Sequence, residues 1–227
     1  MAVEIVFARN LSRARAVLSG MKTKPIPTLV ALTALALTRF ATAQESVPLE
    51  EAQNAARKVN AALPTLSNAP LSIDADLEKP HVLKGGGGGV MVIPDKKLTV
   101  DALTNAGPAI TPVGQLWMLK VGIAHDGKTT AADRLRSVTI TDGDKDREVQ
   151  IYLLGARKNE QGTLELVIYA KDSQPLMTAA LTSNTTGAQT LPLEITGRKN
   201  GEDSATLGIH LFGRYHTDLL LMKPAGQ

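Results

Sequence analysis

The sequence predicts a mainly β fold: an antiparallel β-sandwich, immunoglobulin-like or jelly-roll-like, preceded by one short α-helix. Three observations predict it. Beyond residue 90 the chain falls into short apolar or alternating runs, bounded by Gly, Asn, Asp and Pro clusters at regular intervals. No helical patterns of about 10–15 residues alternate with those runs, as a parallel βαβ sheet would require. Upstream, one stretch repeats its apolar residues at three- and four-residue spacing.

That stretch is residues 48–63, where Leu49, Ala52, Ala55, Ala56, Val59, Ala62 and Leu63 form one weakly apolar face. Pro48 suits a first helical turn, Glu50 and Glu51 favour the N-terminal end of the dipole, and Pro64 ends the pattern. Much of the face is alanine, so the helix is expected to fold back against something larger. From Ser67 to Lys84 the pattern dissolves into Pro and polar residues, and Gly85-Gly-Gly-Gly-Gly89 follows. Phosphate-binding loops need Gly-Lys-Ser/Thr or a spaced G-x-G-x-x-G opening a helix. Here Gly89 leads into Val90-Met-Val-Ile93, a strand, so the run reads as a flexible linker or surface loop.

Residues 99–105 suit one or two helical turns, with Thr99 as cap, Asp101 in the first turn and Gly107-Pro108 as the stop. Strands are expected at 90–93, 115–124, 138–141, 149–154, 164–170, 176–182, 191–196, 205–212 and 215–222. Arg157-Lys-Asn159 and Arg198-Lys-Asn200 each join two of them and are each followed by glycine, which is shared turn chemistry. The organisation is then a targeting region at 1–43, an N-terminal helix and Gly-rich linker at 44–89, and an antiparallel β domain at 90–227.

The targeting region carries the localisation. Met21-Lys-Thr-Lys-Pro-Ile-Pro is a basic start, residues 28–38 are uncharged and largely apolar, and Ala41-Thr-Ala43 precedes Gln44. These are the three parts of a secretory signal peptide, with Met21 as start and cleavage at Ala43/Gln44. Arg39 is unusual between apolar run and cleavage site. Residues 1–20 bear arginines and one acid, which makes mitochondrial import the minor alternative if Met1 is the start. The apolar run falls well short of the ~20 residues that span a bilayer, so no membrane span is expected after signal removal. The mature protein is expected in the bacterial periplasm or the extracellular medium.

Removal of the leader reverses the charge balance. The whole chain has 25 basic and 22 acidic residues, net +3. Six basic residues (Arg9, Arg13, Arg15, Lys22, Lys24, Arg39) and one acid (Glu4) precede Gln44, which leaves 19 basic against 21 acidic, net −2. That balance gives no argument for nucleic-acid binding, which rests on a basic face. With no cysteine, the exported chain has to be stable through its core.

Chemistry-bearing patterns are few. No G-x-S-x-G elbow, no H-E-x-x-H and no cysteine nucleophile occur. Asp142, Asp144 and Asp146 alternate as calcium ligands would, but the calcium loop wants glycine where Arg147 stands and a closing glutamate where Leu153 stands. A solvated hairpin turn between two strands accounts for them. His210 and His216 are two of four histidines. If Leu207, Ile209, Leu211, Leu219 and Leu221 face the core, period-two alternation puts both histidines outward. Pairing Leu211 with Tyr215 opposes the two rings, with Asp218 on the same face. Two histidines and one carboxylate make a thin zinc or copper site, because zinc usually takes three or four protein ligands. Aromatic platforms for sugars or single-stranded nucleic acid are scarce, and Trp117 sits in a strongly apolar run as a core residue would. No cofactor is expected, with a divalent metal (Ca, Zn or Cu) as the minor alternative. The function expected is a non-enzymatic binding or envelope-associated protein whose partner is another envelope or extracellular protein. The alternatives are a secreted hydrolase whose carboxylates the sequence does not single out, and a metal-binding protein using His210 and His216.

Overall fold

Alternating apolar residues commit each strand to burying one face, and the chain meets that demand by stacking two antiparallel sheets. A computed structural model describes residues 45–63, 69–85, 87–142, 144–183 and 189–224, all within a unit spanning Phe40–Gln227. The expected targeting region 1–43 and its cleavage point lie outside the described residues. Among the described residues no helix is long and apolar enough to cross a membrane.

The chain runs β1 (Glu45–Ser46), α1 (Leu49–Ala62), β2 (His81–Gly85), β3 (Gly88–Pro94), α2 (Val100–Thr104), β4 (Thr111–Leu119), β5 (Gly122–His125) and β6 (Lys128–Thr129). A 3-10 turn (Ala132–Arg134) then leads to β7 (Arg136–Asp142), β8 (Lys145–Lys158), β9 (Leu164–Tyr169) and β10 (Met177–Ala180). Four strands close it: β11 (Thr182–Ser183), β12 (Leu193–Lys199), β13 (Ser204–Leu211) and β14 (Tyr215–Met222). The first sheet is ordered β1-β2-β3-β4-β8-β9-β10, and the second β12-β13-β14-β5-β6 with β11 also on β14. β8, 14 residues long, serves three neighbours. It offers one edge to β4 and the other to β7 up to Ile151, then to β9 from Leu153.

The central strands of the first sheet, β3, β4, β8 from Ile151 and β9, are buried on both faces. Leu83, Val90, Val92, Leu116, Met118, Tyr152, Leu154, Leu166 and Ile168 face the second sheet, meeting Ile195, Leu207, Ile209, Leu219 and Leu221. Val82, Met91, Ile93, Trp117, Ile151, Leu153 and Val167 face the other way, under Ala52, Ala56 and Val59 of α1. The expected docking of the helix is thus present, and its alanine-rich face is what allows a close approach. Glu51 to Lys84 and Arg57 to Glu78 (2.9 Å) pin it at the rim. The rest of this face is covered by the segment carrying Leu71, Ile73 and Leu77. Buried Asp95 holds that segment down, its carboxylate accepting the Asp74 N–H (2.8 Å) and the Lys97 N–H (2.8 Å).

Three expectations are revised. Gly85, Gly88 and Gly89, from the run expected as a flexible linker or surface loop, pair within the β2–β3 hairpin, so residues 81–85 belong to the first sheet. Gly88 is required there, because a Cβ would lie 2.6 Å from the Leu119 carbonyl oxygen. The strand expected at 115–124 is two strands in different sheets. Lys120, in left-handed backbone at φ 60°, ends β4 before the chain enters β5. The strand expected at 176–182 likewise divides at Leu181 between β10 in the first sheet and β11 in the second.

Candidate functional site

The second sheet has one face in the core and the other in solvent, and the candidate site lies on the outer face. Leu193 and Ile195 of β12, Leu207, Ile209 and Leu211 of β13, and Leu219 and Leu221 of β14 are buried. Alternation therefore turns Glu194, Thr196, Gly208, His210, His216 and Asp218 outward. The register that aligns them is fixed at the Phe212-Gly213-Arg214 turn. Phe212 (φ 54°) and Gly213 (φ 64°) are left-handed, the Arg214 N–H reaches the Leu211 carbonyl at 3.0 Å, and Leu211 pairs with Tyr215. Gln189 locks the turn, accepting the Gly213 N–H and donating to the His210 carbonyl (3.1 Å).

Two polar rows cross the strands. The first is Glu194–His210–His216–Thr182 and the second is Thr196–Gly208–Asp218. The rings of His210 and His216 lie 4.8 Å apart, centroid to centroid, tilted by 36°. His210 Nε2 is 2.9 Å from Thr196 Oγ1, and His216 Nε2 is 2.9 Å from Asp218 Oδ1. Gly208 makes room for both pairs: a Cβ there would meet Thr196 Oγ1 at 2.5 Å, His210 Nε2 at 3.1 Å and Asp218 Oδ1 at 3.4 Å. Glu194 is turned to structure, its Oε1 accepting from the Thr190 N–H (2.7 Å), the Thr190 hydroxyl (3.0 Å) and the Leu191 N–H (2.8 Å).

A third histidine adjoins the row from the other sheet. His81 of β2 faces the sandwich interior, and its Nδ1 accepts the Ile195 N–H of β12 at 3.0 Å. Neutral His81 therefore carries its proton on Nε2, which lies 3.1 Å from Ser46 Oγ of β1. One imidazole thus joins the edge of the second sheet to the first. Burial holds the pKa of His81 below the usual imidazole value, against the pull of the Glu194 carboxylate. Burial also lowers that of His210, helped by His216 and more weakly by His81 and opposed by Glu194 and Asp218.

Chain comparison adds no relative. Neither a protein-family model, nor a curated protein, nor a solved structure matches the chain.

His210, His216 and Asp218, singled out from alternation alone, are brought together as expected, though the acid hydrogen-bonds only His216. A nucleophile–base–orienter series needs one imidazole between hydroxyl and carboxylate. Here the Thr196 hydroxyl and the Asp218 carboxylate sit on different rings. Among the described residues no group of three or more His, Cys, Asp or Glu is gathered so as to hold a metal ion. The other acidic candidates flank a turn. Asp142 stands opposite Lys145 in the β7–β8 strand register, Asp146 accepts the Thr141 hydroxyl at 2.8 Å, and Asp144 is exposed. Leu153, where a calcium loop would close, is in the core. Trp117 is in the core as expected, its Nε1 donating to buried Gln115 at 3.0 Å.

Sequence reasoning missed His81, Thr196 and Gly208. The glycine carried a signal: a bare position between Leu207 and Ile209, on the face that bears the histidines. It also missed a cleft of about 330 Å³ where the Lys120 crossover meets the β7–β8 hairpin. At its base the Tyr152 hydroxyl donates to Gln150 Oε1 (2.9 Å), and burial pushes its pKa up to about 12, so it stays protonated.

Proposed function

We propose that the protein is an exported domain that works by binding another envelope or extracellular protein, with the outer face of the second sheet as its contact surface. One observation carries this reading: the central strands of the first sheet are covered on both faces, whereas the second leaves one face in solvent. That face bears the ordered rows around Gly208 and, one row further on, Arg198, Thr206 and half-exposed Leu220. An apolar side chain, an arginine and side chains already fixed by hydrogen bonds form a surface a partner meets at low entropic cost. Export rests on the basic, apolar and small-residue parts of residues 21–43. Fold class alone does not establish function, so the reading stands on this face.

The test has two parts. Expressed in a secreting bacterium, the chain should yield a denatured mass that begins at Gln44; a retained leader would end the export reading. Photo-crosslinkers at Thr196, Asp218 and Leu220 should then capture one defined envelope protein, and untagged protein should compete it away. Crosslinkers on exposed Glu50 and Asn54 of α1 should capture little of it. Equal yields from the two faces would remove the second sheet as the contact surface.

The 4.8 Å separation of the two rings favours a second reading, zinc or copper held between them. It requires the Nε2 bonds to Thr196 and Asp218 to be exchanged for metal. Replacing His210 and His216 by alanine should then abolish metal uptake, and uptake that survives the double replacement would clear the histidines of that role.

A further inference from the structure

The glycine run and a misplaced lysine meet at one end of the sandwich. The interior rows of the first sheet run His81–Val92–Leu116, then Leu83–Val90–Met118, then Gly85–Gly88. Those of the second run Ile195–Ile209–Thr217, then Gly197–Leu207–Leu219, then Lys199–Ala205–Leu221. In the last row of each sheet, positions that elsewhere supply Leu, Ile or Val hold two glycines facing a lysine and an alanine. Two sheets stacked about 10 Å apart need side chains from both to fill the gap. Here Leu221 is the one large apolar side chain of the two rows, and a cleft of about 340 Å³ opens at this end.

Its walls have two characters. Val121, Ala205, Leu221 and Met222 give an apolar floor, and Val121, Ala205 and Leu221 belong to or pack on the main core. Lys120, in left-handed backbone at the crossover, and Lys199, on the core-facing side of β12, stand at the mouth. Among the described residues neither makes an ion pair. The remaining cation, Lys223, is engaged with Asp203 at 2.8 Å, and Glu202 is the last charge lining the cleft. A lysine on an interior row lays its alkyl stem along apolar surface and carries its charge to the rim. An apolar slot with uncommitted ammonium groups at its opening fits one chemical class.

We propose that this cleft binds an amphiphilic anion, its alkyl chain on Val121, Ala205, Leu221 and Met222 and its anionic head between Lys120 and Lys199. The site is separate from the outer face of the second sheet, so its fate does not decide the partner reading. The alkyl chain occupies space that Gly85 and Ala205, which line the cleft, leave unfilled. The two lysines supply point charges for a carboxylate head rather than a fork for a fixed bidentate geometry.

The probe is octanoate, titrated calorimetrically into the full chain, with octanol and octylammonium as head-group controls. Octanoate should bind saturably at one site, octanol at least tenfold more weakly, and octylammonium not at all. Lys199→Met keeps a flexible apolar stem and removes the charge. It should weaken octanoate at least tenfold and leave octanol unchanged. Ala205→Phe should fill the slot and abolish binding of both, with an unaltered circular dichroism spectrum as the check on folding. Equal affinities for octanoate and octylammonium, no saturable octanoate binding, or a Lys199→Met protein that binds as the original does would each overturn the proposal.

Discussion

His81 carries more of the structure than its place in the sequence announces. Its ring occupies an interior position on β2 and accepts a backbone N–H from the free edge of β12, 114 residues away in the chain. Ile195 is buried, so without the imidazole its N–H has no partner. His81→Ala should therefore destabilise the protein by about 1–3 kcal/mol at pH 7.5, measured by urea denaturation. At pH 5 the cost should shrink, because the unfolded chain takes up a proton on an imidazole that the buried ring resists. The contrast with His210 and His216 shows what the sequence holds at this scale. Their opposition follows from two neighbouring strands, one short turn and the rule that a one-residue slip would invert every side chain. All of that information lies within about a dozen residues. The roles of His81 and Thr196 depend on strands that meet only in three dimensions, and no local spacing encodes them.

The same division holds for whole elements. α1 is written in its apolar periodicity, its early acids and its proline, and it forms at Leu49–Ala62 within a residue of the expected limits. Its packing is close because the inner face is alanine, with Ala52 and Ala56 essentially inaccessible. Ala56→Leu should thus overpack the helix–sheet contact and cost about 1–3 kcal/mol, read as a lower denaturation midpoint with an unchanged slope. A cost near zero would mean that the helix can slide off the sheet without penalty. β2 was not legible, because its adjacent Val82 and Leu83 break alternation. They do so because the sheet they join is buried on both sides at this point. The break between β4 and β5 was hidden for another reason. A lysine, not a glycine, occupies the left-handed position at residue 120, so the usual punctuation of a strand end is absent.

At the scale of the molecule, the two lowered imidazoles give a definite pH dependence. Burial keeps His81 and His210 neutral in the folded protein at pH values where the unfolded chain, with imidazoles near 6.5, is already taking up protons. Glu194 faces both rings and opposes the shift, and His216 and Asp218 also face His210. Their contribution to stability is therefore complete above pH 6.5 and is lost as the pH falls through the folded-state values. The melting temperature should fall between pH 7.5 and 5, and the double variant His81→Gln with His210→Gln should flatten that slope. An unchanged slope in the double variant would place the titration elsewhere. The position of β14 has a consequence of a different kind. β5, β11 and β13 all lean on this late strand, whereas β1–β4 and β7–β10 close the first sheet without it. A chain emerging from a ribosome or a translocation channel can assemble the first sheet once Ala180 has appeared. The second sheet must wait until residue 222 has appeared. Until then the inner face of the first sheet stands open, and that interval is when the nascent protein most needs a chaperone.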